Sequence, residues 1–156
     1  MLNKINDLQD YIEIESDQFS LNFEEFSPLD LGKEVVNFTK LQLDQKDIDV
    51  KLIVSNQLPD RICTYRKRIT QVLLNLLSNA IKYTESGRVV LEIGRKRNQI
   101  QFKVTDTGIG INEEQQKNTF TLYGTASSDQ REMYSTKLAG LGLSISSLLA
   151  KKWDLN

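Results

Sequence analysis

The stretch Arg68 to Tyr83, RITQVLLNLLSNAIKY, limits the fold more than any other in this chain. Ile69, Val72, Leu73, Leu76, Leu77 and Ala80 recur at helical spacing and form a wide stripe suited to a core. Gln71, Asn75, Asn79 and Lys82 recur at the same spacing on the other side. At about 100° per residue, Asn75, Asn79 and Lys82 fall within roughly 60° of one another. The spacing therefore predicts a buried helix carrying one narrow polar ridge of two carboxamides and an ammonium. A solvated face would be richer in Glu and Lys, and two Asn one turn apart are poor helix formers. Two readings stand side by side: the ridge caps or satisfies neighbouring backbone, or it faces a ligand.

A chain of 156 residues, 39% hydrophobic and 26% charged, is long enough for one domain with a real core. Its net charge of −1 gives no reason to expect broad binding to nucleic acid or a membrane surface. There is no run long enough to span a bilayer and no basic-then-apolar signal segment; an anchor elsewhere in a longer parent is left open. Cys63 is the sole cysteine. It rules out an internal disulfide or a cysteine metal cluster, favours a reducing, cytoplasmic setting, and reads as a small core residue on a strand. The absence of histidine removes His-based general bases, His metal sites and any phosphohistidine from this chain.

In chain order, Leu2, Ile5, Leu8 and Ile12 make a narrow seam on a helix over residues 1 to about 15, as in a bundle. Phe19, Leu21 and Phe23 alternate like a short strand. Ser27-Pro28-Leu29-Asp30 is a helix start, with Ser as N-cap and Pro in the first turn. That helix is expected to run to about Asp44, with Leu31, Val35, Phe38, Leu41 and Leu43 among its apolar positions. Strands are expected around Val50 to Val54 and Ile62 to Thr64, with Thr64 placed to cap the central helix. Ser86-Gly87 reads as a turn and Arg95 to Asn98 as a polar turn. Val89, Leu91 and Ile93, then Ile100, Phe102 and Val104, alternate as an antiparallel hairpin with one buried face. A short polar helix is expected near residues 112–117, and 119–139 read as a long polar loop. Gly140-Leu141-Gly142-Leu143 opens a last helix reaching about Trp153.

Two further motifs bear on chemistry. Asp106-Thr107-Gly108-Ile109-Gly110 follows the second hairpin strand directly. Its glycines permit positive φ and close approach of a ligand, and its carboxylate can accept a hydrogen bond from an exocyclic amine such as that of adenine. Gly140 to Leu143 sets free N–H groups at a helix N-terminus, receptive to phosphate. Each motif alone is common in ordinary turns and junctions. Their order within some seventy residues, with the Asn helix first and the long loop as a lid, points to a nucleotide. Asn79, with Asn75 one turn back, offers oxygen to Mg²⁺, and Lys82 can reach a phosphate.

On these residues the sequence resembles the ATP-binding catalytic domain of sensor and hybrid protein histidine kinases, in the GHKL superfamily with the gyrase, Hsp90 and MutL ATPases. NLLSNAIKY at 75–83 matches the N box, DTGIG at 106–110 the G1 box and GLGL at 140–143 the G2 box. FTLYG at 120–124 takes the place of the F box. The resemblance covers essentially the whole chain. It implies an α/β (α+β) two-layer sandwich, the Bergerat fold: a mixed, mainly antiparallel sheet with helices on one face and ATP under a lid. It implies Asn75, Asn79 and Lys82 as catalytic residues, with Asn79 and Asn75 at Mg²⁺. ATP would be held by these three with Tyr83, Asp106, Gly108, Ile109, Gly110, Phe120, Gly140, Leu141, Gly142 and Leu143.

The resemblance also divides the chain. Residues 1–18 look like the end of a second dimerisation helix, through which the parent would form a homodimer. Residues 19–156 look like the catalytic domain without its final hairpin: either the chain is a fragment, or a sheet edge is left exposed or covered by a partner, and the isolated chain is expected to be less stable than a complete domain. The implied partners are a phosphoacceptor-His helix outside this chain and a response-regulator receiver.

One residue separates branches of the superfamily. ATP-hydrolysing members and serine kinases of this fold carry Glu where this chain has Asn75, and a neutral carboxamide cannot act as a general base. Two positions depart from the kinase pattern: Leu138 stands where the G2 box opens with Gly, and Tyr65 where Asp is frequent. A kinase-like scaffold without phosphotransfer is the alternative, and an ATPase is a third reading. A nucleic-acid reading has Arg95-Lys96-Arg97 behind it, and such a basic turn is usually a solvated hairpin end.

Overall fold

The computed structural model describes residues 22–43, 46–97 and 99–111, and the compact unit is 22–110. Its elements are β1 (Glu24–Phe26), α1 (Pro28–Lys40), β2 (Asp47–Val54), β3 (Ile62–Thr64), α2 (Arg66–Tyr83), β4 (Ser86–Lys96) and β5 (Gln99–Asp106). The main sheet has the order β2-β4-β5. Here β2 runs parallel to β4 from Asp47 opposite Ser86, and β4 runs antiparallel to β5. The strands β1 and β3 form a separate antiparallel pair. The described elements thus make the expected mixed α/β sandwich, with both helices on one face of the main sheet.

Strand alternation explains why the helices settle there. Ile48 and Val50 of β2 and Val89, Leu91 and Ile93 of β4 are buried, and Ile100, Phe102 and Val104 of β5 pack against them. Their neighbours Asp49, Lys51, Gln101 and Lys103 are exposed, as a period of two requires. Leu31, Val35 and Val36 of α1 and Leu73, Leu77, Ala80 and Ile81 of α2 close the same core. The start of α1 is as expected: Ser27 Oγ accepts from Asp30 N at 3.2 Å, followed by Pro28.

Several boundaries differ from the sequence expectations. Helix α1 ends at Lys40, not near Asp44, and Phe38 and Leu41 are exposed. They lie about 90° and about 150° from the middle of the buried stripe at 100° per residue. Strand β1 begins at Glu24, so Phe23 precedes it; Phe19 and Leu21 lie outside the described residues. Phe23 packs against the buried Tyr65, with ring centroids 4.4 Å apart and the planes tilted by 42°. Thr64 does not cap α2. The cap is Tyr65, which makes no side-chain capping bond. Cys63 is exposed rather than in the core: in the short β3 its neighbours Ile62 and Thr64 are the partly buried ones and Cys63 takes the opposite face.

Ser86 and Gly87 already belong to β4, and Arg95 and Lys96 still do. The reversal is confined to the turn at Arg97, whose φ is +57°. The expected helices at 1–15, 112–117 and 140–153 and the loop 119–139 lie outside the described residues.

Thr84, just after α2, is fully buried and its Oγ1 has no hydrogen-bond partner among the described residues. A hydroxyl in that position costs stability rather than adding it. Thr84→Val is therefore expected to melt at the same temperature as the wild type or higher. Leu77→Ala, at a fully buried position, is expected to lose about 2–5 kcal/mol in urea titration. A large drop for Thr84→Val would overturn this view of the junction.

Candidate nucleotide site

The polar ridge lies on the side of α2 away from Leu73, Leu77 and Ala80. Asn75 and Asn79 are partly buried and Lys82 is exposed. No residue from Ile69 to Leu77 is classed as exposed, whereas Ser78, Lys82 and Tyr83 emerge. The helix thus runs inside the domain and surfaces at its C-terminal turn. There Lys82 Nζ sits 5.0 Å from the centroid of the Tyr83 ring, within range of a cation–π contact.

A helix end leaves carbonyls without intrahelical donors, and α2 has no glycine to close it. The chain leaves through Thr84 in an extended conformation, with Thr84 N donating to Ala80 O at 3.1 Å. The following carbonyls find donors elsewhere. Lys46 Nζ donates to Ile81 O at 2.7 Å, Lys82 O at 3.3 Å and Thr84 O at 3.0 Å. Tyr83 O accepts from Ile109 N at 3.2 Å. That last bond docks the turn after β5 onto the end of the ridge helix.

The turn is held from both sides. Asp106 Oδ1 accepts from Gly108 N at 2.9 Å, closing an Asx-type turn. Thr107 N donates to Arg88 O at 3.1 Å, and Arg88 N donates to Thr107 Oγ1 at 3.0 Å, continuing the β4–β5 pairing by one residue. The two glycines of the turn serve different ends. A Cβ on Gly108 would stand 2.4 Å from Tyr83 O, whereas one on Gly110 would meet nothing within 4 Å. Gly110 instead has a φ of +71°. Gly108 supplies room and Gly110 supplies conformation.

Of the residues singled out in the sequence, the structure joins Tyr83 directly to Gly108 and Ile109, with Asn79 one turn upstream and Asp106 at the root of the turn. Tyr83 and Ile109 are exposed, at 48% and 81%, on the two segments that the bond from Ile109 N to Tyr83 O joins. Phe120 and Gly140 to Leu143 lie outside the described residues. Lys46 and Thr107 were not found by sequence reasoning. A lone Lys ahead of a strand carries no periodic signal, and Thr107 passes for turn filler.

The sheet, the helix pair and this docked turn make a two-layer α/β sandwich, and comparison with known proteins gives its class. The family model described as histidine kinase-, DNA gyrase B-, and HSP90-like ATPase matches residues 64–155, more than half of the chain. The chain belongs to that family and is a catalytic domain of the histidine-kinase type. It is 35% identical over 155 residues to the circadian input-output histidine kinase CikA of Synechococcus elongatus, covering 97% of this chain and 20% of that one. Full-length ShkA, solved in complex with AMPPNP, superposes with a TM-score of 0.80 at 28% identity, covering 96% of this chain and 30% of that one. Histidine kinase ThkA, solved in complex with the response regulator protein TrrA, gives 0.61 at 27% identity, covering 80% and 38%. The chain spans less than half the length of the curated relatives it matches first, 44% and 20%.

Gly108→Ala must displace the Tyr83 carbonyl and is expected to lower the melting temperature by several degrees. Gly110→Ala carries only the left-handed conformational penalty of about 1–2 kcal/mol. Thermal unfolding of the two variants checks the order. A Gly110→Ala loss larger than that of Gly108→Ala would contradict the docking described here.

Proposed function

We propose that this domain binds Mg²⁺-ATP at the end of α2 and delivers the γ-phosphoryl group to a histidine on a helix outside this chain. The observation that carries the reading is the bond from Ile109 N to Tyr83 O. It sets the Asp106 turn against the helix that bears Asn75, Asn79 and Lys82.

The residues fit the nucleotide. With Asp106 Oδ1 engaged by Gly108, the second oxygen can accept from an exocyclic amine, and the exposed Tyr83 and Ile109 suit a flat base. Gly108, Ile109 and Gly110 form the wall beside it. Lys82, exposed at the helix end, neutralises phosphate charge. Phe120 and Gly140, Leu141, Gly142 and Leu143 are assigned to the lid and phosphate side by the motif match alone.

The residues also fit a divalent ion. No group of three or more His, Cys, Asp or Glu that could hold a metal occurs among the described residues. Asn79 and Asn75 would offer neutral carboxamide oxygens, and most ligands would come from phosphate and water, as Mg²⁺ prefers. Bound there, the ion neutralises charge on the phosphoryl oxygens.

In the transfer, the incoming imidazole nitrogen forms a bond to the γ-phosphorus, the bond from that phosphorus to the β–γ bridging oxygen breaks, and ADP leaves. Asn75 takes no proton from the nucleophile. The domain's share is positioning and charge stabilisation. The acceptor lies elsewhere because this chain has no histidine. A receiver domain is the expected next acceptor, in line with the ThkA–TrrA complex, and a homodimer through residues 1–18 would present the acceptor helix. No helix among the described residues is long and apolar enough to cross a membrane. The use of ATP is what assigns the domain to the cytoplasm.

Calorimetry is expected to show ATP binding that strengthens with Mg²⁺. Asn79→Ala should remove most of the Mg²⁺-dependent gain. Asp106→Ala should weaken binding about tenfold with or without the ion, the worth of one charge-assisted hydrogen bond. No binding by folded wild type, or an Asn79→Ala loss independent of Mg²⁺, would overturn these assignments.

A further inference from the structure

We propose that Lys46 is a positioning residue for the nucleotide site. It holds the last turn of α2 so that Tyr83 O can receive the Asp106 turn. The inference rests on the function proposed above and adds a residue that none of the recognised motifs contains.

The topology brings Lys46 to this place. Strand β2 runs parallel to β4 with Asp47 opposite Ser86, so the residue before β2 lies beside the segment that joins α2 to β4. The backbone of Lys46 is fixed there: its N–H donates to Leu43 O and its carbonyl accepts from Ile48 N, both at 3.0 Å. Its ammonium has three donors and meets three main-chain carbonyls, those of Ile81, Lys82 and Thr84. They flank the one carbonyl, Tyr83 O, that holds Ile109 N. A positive charge also suits the negative end of the helix dipole. Without it three carbonyls lose their donor at once and the last turn is free to fray. That turn carries Lys82 and Tyr83, and its loosening would release the Asp106 turn.

A surface lysine that only adds stability would lower the melting temperature and leave the site alone. A positioning residue moves the site in a fully folded protein. The test compares the full chain as wild type, Lys46→Met and Lys46→Arg, at a temperature where melts show each to be folded. It reads the Kd for Mg²⁺-ATP and the exchange rates of the Ile109 and Leu91 amides. Lys46→Met is expected to raise Kd and the Ile109 exchange rate each about tenfold, as loss of a charged donor implies. Leu91, in the central strand, should be unchanged. Lys46→Arg, which keeps charge and several donors, should restore most of both. If Lys46→Met does not fold, Lys46→Gln carries the same comparison.

An unchanged Kd, or equal acceleration at Ile109 and Leu91, overturns the proposal while leaving the nucleotide site standing. Failure of the wild type to bind ATP overturns both.

Discussion

The C-terminal end of α2 has more carbonyls than its own helix can satisfy, and much of the domain is arranged around their partners. One donor comes from the segment ahead of β2, as the ammonium of Lys46. Another comes from the turn after β5, as the amide of Ile109. These segments lie far apart in sequence, and the β2-β4-β5 sheet sets the distance between them. A helix closed by a glycine cap would satisfy its last carbonyls locally. It would have no need of the turn, and the Asp106 carboxylate would not be tied to the ridge of Asn75, Asn79 and Lys82.

Function follows from where that end surfaces. From Ile69 to Leu77 no residue of the helix is exposed, and its end emerges with Lys82 and Tyr83. A cation, an exposed ring, an exposed Ile109 and a half-engaged carboxylate then share one small region. On the function proposed above, these groups would take a phosphate, a flat base and an exocyclic amine. A catalytic base is not among the ridge residues, because Asn75 is neutral. Such a site suits transfer to a nucleophile whose lone pair is already available. The family includes ATPases as well as histidine kinases, and it is the relatives named as histidine kinases that are in keeping with the transfer proposed above.

Much of this could be read from the sequence, and the failures have a pattern. Val89, Leu91 and Ile93 announced the central strand because a period of two survives any tertiary context. Ser27-Pro28 announced α1 because its cap is local. Leu73, Leu77 and Ala80 were legible for the same reason, as were the fold class and the helix, hairpin and turn order of the site. Positions decided by non-local packing were read wrongly. Phe38 and Leu41 have apolar side chains but are exposed, and Cys63 occupies the outer face of a short strand. Gly87 looked like a turn residue, yet it lies in β4, where a Cβ would stand 2.3 Å from Thr107 Oγ1. Lys46 was invisible because its partners are backbone atoms supplied by the parallel register of β2 and β4.

The central claim is that the end of α2 and the Asp106 turn are one nucleotide site. Titrating the isotopically labelled chain with Mg²⁺-ATP and following its amide resonances tests it directly. The account predicts the largest changes at Asn79, Lys82, Tyr83 and residues 106–110, with Arg97 at the far hairpin end unmoved. Changes centred on the outer sheet face at Lys51, Glu92 and Lys103, or none at all in a folded chain, would contradict it.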